Sequence, residues 1–349
     1  MRTVFLLGAG LSSAITFGAA GANCALRNPS VQIYQIFPDA TSYRTIVAQV
    51  GAELLPLIQE KVGSALARSD VGKHTAYIVL KDTVPIGFVH ARTENGTRGS
   101  VELVWGMGLD MTIKDFRVQR SREKHTEAIK SDEFRAKLTG RDLQSLRTLL
   151  TQGNHAINPS ALEIPAGAAT IAHCVVLCGL KTRVITELAF RDSVKPARML
   201  GHLYAHFPDT KSVTSIKAPL GDKAAAAVKR LTGAAPSQLD RGSLVVLRAA
   251  GEDGATKGLL VQGSWTAHPH RPECWWVVSP EGRLRAVWIV GEVDQSVKQQ
   301  FAVLRGKDLA TLQGEVDLTI DSPARCGLEV LAVLAAHGFG GMPSGPAGG

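Results

Sequence analysis

Apolar residues alternate with polar ones in several short segments of each half of the chain, a pattern that predicts β-strands. In the first half these segments are Tyr77–Leu80, Ile86–Val89 and a longer hairpin, Val101–Gln119. In the second half they are Leu244–Leu247, Gly258–Val261 and a hairpin over Cys274–Val290. Longer apolar segments that follow small residues predict helices at Ala166–Leu180 and Ser322–Ala336.

The two halves also repeat one another. Phe37–Ser42 (FPDATS) recurs as Phe207–Ser212 (FPDTKS), and each copy precedes a helical pattern that ends at Gly63 or Gly233. The strands follow, then a short helical segment, Phe134–Leu143 or Phe301–Leu309. We therefore expect a tandem repeat in an α+β fold, with two related domains that each pack helices on an antiparallel sheet.

This organisation predicts five consecutive regions along the chain. They are a signal peptide or N-terminal anchor (1–22), a first domain (31–185), a helical connection (186–205), a second domain (206–338) and a flexible Gly/Pro-rich tail (339–349). The length of 349 residues agrees with two domains.

The N-terminus has the features of an export signal. Arg2 precedes an apolar or small-residue segment, Val4–Phe17, and Ala20–Ala22 (AGA) provides a small-x-small cleavage site. The segment Thr3–Ala22 is also long enough to span a bilayer if it is not cleaved. We therefore expect an exported, periplasmic or extracytoplasmic protein, with membrane anchoring through the N-terminus left open.

Composition narrows the function classes only slightly. The chain is 45% apolar and 20% charged, which excludes disorder over most of its length. Its net charge of +8 permits anionic partners, but an exported protein rarely meets nucleic acid, so no nucleic-acid partner is expected. Five cysteines without a C-x-x-C pair argue against a zinc ribbon or a thioredoxin motif. We interpret Cys174 and Cys178 as small buried hydrophobic residues.

The order of features in the first half resembles the FMN-binding domain of exported flavoproteins, which include subunits of ion-pumping quinone and ferredoxin oxidoreductases. The matching segments are Ile86–Val89, Val101–Val118, the loop Ser121–Thr126, Phe134–Arg141 and the small-residue box Ala166–Thr170. No single motif is specific, but the ordered set occurs over residues 36–185 and, more faintly, over 206–337.

The resemblance implies a flavin site at this box and loop. In the family a threonine of the box can be joined to FMN through a phosphoester bond by a flavin transferase, and the matching residue is Thr170. Gly167, Ala168 and Ala169 keep the backbone uncrowded, although the family usually has serine at the position of Gly167 and glycine at that of Ala168. A helix that begins near Thr170 would direct free N–H groups at a phosphate. The alternative is an ordinary apolar helix with Thr170 as its N-cap.

The loop corresponds to the family's Glu-containing segment near the flavin ring. Its residues Arg122, Glu123, Lys124 and His125 are expected to line the cofactor, where positive groups would stabilise the reduced flavin. A solvated basic turn is the alternative reading for each of them.

The second half lacks an attachment residue. Aligning Ser322–Arg325 with the box puts Arg325 at the position of Thr170, and a guanidinium has no hydroxyl to esterify. We therefore expect a degenerate second domain. Arg325 could instead bind a phosphate, since its guanidinium matches oxyanions.

The expected function is an exported FMN-binding electron-transfer protein, a redox carrier more than a substrate-turning enzyme. Its FMN would be covalent at Thr170 or non-covalent. Its partners would be a redox protein or a membrane electron-transport complex, with a flavin transferase if the flavin is attached. Two alternatives stay open: a non-flavin assembly module of a periplasmic redox system, and a metal protein that uses His268, His270 and Cys274.

Overall fold

The computed structural model describes residues 27–339 apart from 68–69, 233–235, 237–242, 267–270, 291–294 and 316–321. The predicted signal segment 1–22 and residues 340–349 of the predicted tail therefore lie outside the described residues. Contacts divide the chain at Lys195 and Pro196 into a first and a second unit.

The first unit is an α+β fold around a five-stranded antiparallel meander in the order β1-β2-β3-β4-β5. Its strands are β1 (Ser42–Val50), β2 (Gly72–Lys81), β3 (Val84–Asn95), β4 (Ser100–Met107) and β5 (Ile113–Arg120). Its helices are α1 (Ser30–Ile36), α2 (Leu55–Val62), α3 (Thr126–Lys130), α4 (Asp132–Leu138), α5 (Leu143–Arg147) and α6 (Ala169–Ala189).

The second unit repeats this order. Helix α7 (Arg191–His206) begins next to the unit boundary, and the strands are β6 (Ser212–Pro219), β7 (Ser243–Ala250), β8 (Thr256–Ser264), β9 (Glu273–Val278) and β10 (Leu284–Val290). The remaining described helices are α8 (Asp222–Thr232), α9 (Gln295–Ala302), α10 (Leu309–Glu315) and α11 (Pro323–Ala336). The strands again form a meander, β6 to β10. The prediction of an α+β protein with two related domains is confirmed.

Matching contacts at the start of each unit support the repeat. A Cβ on Gly87 would collide with the ring of Phe37, and a Cβ on Gly258 would collide with the ring of Phe207. In both units, therefore, a glycine in the third strand admits the phenylalanine that follows the first helix.

The end of each meander is also the same. Gly140 donates to the Ile113 carbonyl (2.7 Å), and Gly306 donates to that of Leu284 (2.6 Å). Both glycines have positive φ, +79° and +85°, which explains why glycine follows the short helix in each unit.

The sequence reading missed the first strand of each unit. It predicted that a helix follows Phe37–Ser42 and Phe207–Ser212, whereas β1 and β6 come first and the helices α2 and α8 follow them. Residues Tyr43–Val50 alternate between polar and apolar side chains and include several β-branched residues, which is typical of a strand. The strand lies at the edge of the described sheet and pairs only with β2. The segment predicted as a helical connection, 186–205, is the end of α6 followed by α7. Helix α7 packs on the second sheet through Met199 and Leu203, together with Phe207, which follows the helix.

Helices cover both faces of the first sheet. Ile33 and Ile36 of α1 pack on one face with Val89 and Val104. Helix α6 packs on the other face, where Gly179 lies against the indole of buried Trp105. Since water reaches neither face of β3, almost every residue of that strand is buried.

Tryptophans fill the sheet cores. Trp105, Trp265, Trp275 and Trp276 are buried. The fifth, Trp288, is half-buried and stacks on His202 with ring centroids 4.1 Å apart.

Candidate functional site

The predicted small-residue box, Ala166–Thr170, lies at the N-terminus of α6. Gly167 has φ +75°, a left-handed conformation that favours glycine. Ala168 is the N-cap with φ −90°, so the alanine found where the family has glycine meets no conformational obstacle. The helix begins at Ala169, and Thr170 is its exposed second residue. The alternative reading of Thr170 as N-cap is therefore wrong.

The box and the predicted loop meet in space. His125, which has φ +59°, lies directly before α3. A Cβ on Gly167 would be 2.7 Å from His125 Nε2 and 2.9 Å from its Cε1. The backbone angle favours glycine here, and the exposed imidazole of His125 lies against it. Two segments 42 residues apart in the sequence are thus brought into contact just before the first turn of α6.

Glu123 has a different position from the other loop residues. It is buried, and its carboxylate accepts hydrogen bonds from Thr97 Oγ1 (2.8 Å) and the backbone N–H of Arg98 (2.5 Å) at the tip of the β3–β4 hairpin. This carboxylate therefore joins the hairpin to the loop that carries His125. Lys124 and Arg122 are exposed beside it.

The two long helices do not align as the sequence suggested. Gly179 of α6 lies against Trp105, and Gly327 of α11 lies against Trp276. Gly179 is the eleventh residue of α6 but Gly327 is the fifth residue of α11, so α6 starts almost two turns earlier.

This register corrects the expected role of Arg325. By this register, Arg325 of α11 corresponds to Leu177 of α6, and not to Thr170. Arg325 is buried, and its Nε is 3.5 Å from Glu329 Oε1. Counting back without a gap, the position of Thr170 corresponds to residue 318, a leucine outside the described residues, which also has no hydroxyl.

Between the first sheet and α6 lies a buried cluster of four charged residues that sequence reasoning missed. Arg92 Nη2 is 2.5 Å from Asp70 Oδ1, and Lys181 Nζ is 3.2 Å from Asp70 Oδ2 and 2.9 Å from Glu94 Oε2. All four side chains are at most 7% exposed. Burial by itself lowers the pKa of Lys181, but the carboxylates of Glu94 and Asp70 outweigh it and raise the pKa above its usual value.

Two buried histidines adjoin this cluster. The rings of His74 and His90 are edge-to-face with centroids 5.5 Å apart. His74 Nε2 is 2.9 Å from the Asp70 carbonyl oxygen, and His90 Nδ1 is 2.8 Å from Thr186 Oγ1 on α6. Burial, with the nearby Arg92 guanidinium, lowers the pKa of His74 to about 4. Burial, His74 and Arg92 lower the pKa of His90 well below its usual value.

The signal for this cluster was present in the sequence. His90, Arg92 and Glu94 occupy alternate positions of an otherwise apolar strand, which reads as the solvent face of a half-buried strand. The structure covers that face with α6, so the same residues become a buried polar network.

The described cysteines are buried thiols. Cys174, Cys178, Cys274 and Cys326 are buried and free of disulfides. Burial raises the pKa of the thiols of Cys174, Cys178 and Cys274 to about 12, which keeps them protonated. The interpretation of Cys174 and Cys178 as buried hydrophobic residues is confirmed.

The alternative metal site falls mainly outside the described part of the chain. His268 and His270 are not among the described residues, and Cys274 Sγ lies 3.7 Å from the Pro272 carbonyl oxygen. Within the ranges that the structure describes, no three His, Cys, Asp or Glu side chains are grouped to hold a metal ion.

Among the described helices, only α6 has the length and composition to cross a bilayer, and 78% of that stretch is buried inside the protein. It is thus a core helix of the first unit. No protein-family model and no curated protein matches the chain. Function must therefore be inferred from the residues of the chain itself.

Proposed function

We propose that the protein is an exported FMN-binding electron-transfer protein whose flavin phosphate lies at the start of α6 in the first unit. One observation carries this proposal. The loop and the small-residue box, which the sequence resemblance assigns separately to a flavin site, contact each other through His125 and Gly167.

The residues present suit the phosphate of such a group. The first N–H groups of a helix have no carbonyl partner within the helix, and the helix dipole favours an anion at this end. The imidazole of His125, which lies against Gly167, adds an exposed side chain that can form a hydrogen bond with a phosphate at this helix start. Thr170, exposed in this first turn, offers a hydroxyl for the phosphoester bond that the resemblance implies.

The chain's own side chains have separate roles in this proposal. His125 is exposed against the box and would supply polar contacts to an anionic ligand, and exposed Lys124, its neighbour in the chain, would supply positive charge. Glu123 holds the loop against the β3–β4 hairpin, so that His125 keeps its position beside Gly167. When bound, FMN would supply one- and two-electron redox chemistry.

The test is a comparison of covalent flavin in three forms of the full chain. Wild type, Thr170→Ala and Thr148→Ala are co-expressed with a flavin transferase, and each is examined for in-gel flavin fluorescence and intact mass. Thr148 is an exposed threonine of the same unit and serves as the matched control.

Covalent attachment predicts a fluorescent band with a mass gain of one FMN moiety in wild type and Thr148→Ala, and none in Thr170→Ala. A labelled Thr170→Ala variant would refute the assignment of the residue. If the wild-type band shows no flavin fluorescence, the native protein is titrated with FMN. If the fluorescence of FMN does not change in that titration, FMN does not bind, which would refute the flavin function and favour the assembly module.

A further inference from the structure

The two buried histidines and Thr186 have aliphatic counterparts among the described residues of the second unit, although the fold is the same. In the first unit Ala76 of β2 pairs with His90 of β3. In the second unit Val246 of β7, which corresponds to Ala76, pairs with Val261 of β8. His90 therefore corresponds to Val261.

The same strand register matches His74 with Leu244, and the glycine–tryptophan register of the helices matches Thr186 with Leu334. Leu244, Val261 and Leu334 are all buried. At these three positions the second unit thus has aliphatic side chains. It keeps charge elsewhere on this helix, because the same register matches Lys181 with Glu329, which is buried beside Arg325. The fold itself therefore does not require the two histidines.

The hydrogen bonds fix where the protons of the two histidines lie. Thr186 Oγ1 donates to the Thr182 carbonyl oxygen (2.7 Å), so it must accept from His90 Nδ1–H. His74 Nε2 must likewise donate to the Asp70 carbonyl. His90 Nε2 is then an unprotonated nitrogen, and it has no hydrogen-bond partner among the described residues.

Arg92 and Asp70, the charged groups that act on the histidines, belong to the cluster of four residues, whose charges balance. Arg92 and Glu94 on β3, Asp70 before β2 and Lys181 on α6 contribute two positive and two negative charges. The ring of Phe190 also lies against His90, with ring centroids 5.5 Å apart. A proton added to either ring would give this buried region a net positive charge beside Arg92, and on His90 it would also create a donor without an acceptor.

We propose that the His74–His90 pair is a pH-sensitive latch that holds α6 on the first sheet in its neutral form and releases the helix when it is protonated. The latch is built from side chains of the first unit alone, and it does not depend on a bound flavin.

The direction of the effect follows from linkage. A histidine has an ordinary pKa near 6.5 when exposed, and the folded state lowers the pKa of His74 to about 4. The open state therefore binds more protons between these values, and closure weakens as the pH falls through that window. For one histidine with these values, the ratio of open to closed helix rises about 20-fold between pH 7 and pH 5.

Hydrogen exchange of the full chain tests this directly. Exchange rates of α6 amides, corrected for the intrinsic pH dependence of exchange, are measured by mass spectrometry from pH 7 to pH 5. We expect α6 protection to fall at least about 20-fold in wild type. The variant His74→Leu/His90→Val, which introduces the second unit's residues, should lose this dependence. His155→Gln, which removes an exposed histidine of the same unit, should keep it.

Two results would overturn the proposal: α6 protection that does not change with pH in wild type, or the same change in the double variant. If the double variant does not fold, the protonation states of the two histidines are measured in wild type from their ring-nitrogen NMR signals, and these test the proposal. At pH 7, long-range ¹H–¹⁵N spectra should show both rings neutral, with the proton of His90 on Nδ1 and that of His74 on Nε2. A charged imidazolium on either residue at pH 7 would refute the latch.

Discussion

The contact of Gly179 with Trp105 allows a sharp test of the packing, because the second unit provides a matched glycine. In Gly179→Ala, the new Cβ would lie 2.7 Å from both Cζ2 and Cη2 of Trp105, closer than carbon atoms pack. The indole is fully buried and stacks on Phe116 with ring centroids 5.0 Å apart. In Gly327→Ala, the nearest atom is Trp276 Cζ3 at 3.3 Å, a gap that a small shift can accommodate.

The expected magnitudes follow from two opposing effects. Replacing a helix-interior glycine by alanine stabilises a helix by about 1 kcal/mol. Overpacking a close-packed core costs about 1–3 kcal/mol. Gly179→Ala should therefore destabilise the first unit by about 1 kcal/mol. Gly327→Ala should leave the second unit unchanged or stabilise it by up to about 1 kcal/mol.

Hydrogen exchange of the most protected amides of α6 and α11 measures the two units separately in one sample. The decisive control is a double-mutant cycle: in a Trp105→Phe background the smaller ring should remove most of the cost of Gly179→Ala. Equal effects of the two glycine substitutions, or an unchanged cost beside Phe, would refute the reasoning and the helix register derived from these contacts.

Two further substitutions test the buried charges and the second unit. Lys181→Met leaves the Glu94 carboxylate buried without its partner and should destabilise the first unit by about 3 kcal/mol in urea unfolding. Adding Glu94→Gln should restore part of this loss, and an additive double variant would contradict the ion pair. Ser322 Oγ accepts from the backbone N–H of Arg325 (3.2 Å) at the N-cap of α11. Ser322→Ala should therefore cost about 1 kcal/mol in the second unit, whereas Ser322→Asp should retain the cap.

Much of the fold could be predicted because local patterns determine it. Alternation in strands such as Tyr77–Leu80 and the small-residue entrance to α6 are local signals, and their recurrence in the second half reinforced them. Strand β1 was missed because it is an edge strand between a turn and helix α2, and its residues were included in the predicted helix. The Arg325 alignment was wrong because it matched the starts of two helices whose lengths differ.

The site depended on information that the sequence does not contain locally. The alternation of polar and apolar residues along β3 indicates that His90, Arg92 and Glu94 face solvent, since a strand in an antiparallel sheet commonly exposes one side. The long helix that covers this face begins 74 residues after Asn95, the last residue of the strand. The contact between His125 and Gly167 likewise depends on how the loop folds back on the helix start.

Helix α6 gives the two proposals a mechanical connection. Thr170 lies in its first turn and Thr186, the residue bonded to His90, lies in its last, 16 residues further along. At 1.5 Å per residue these points are about 24 Å apart on one continuous rod. A tilt of only about 5° at the Thr186 end would move the Thr170 end by about 2 Å. The helix would then act as a lever that converts a proton bound at the sheet into a displacement of the predicted flavin attachment point.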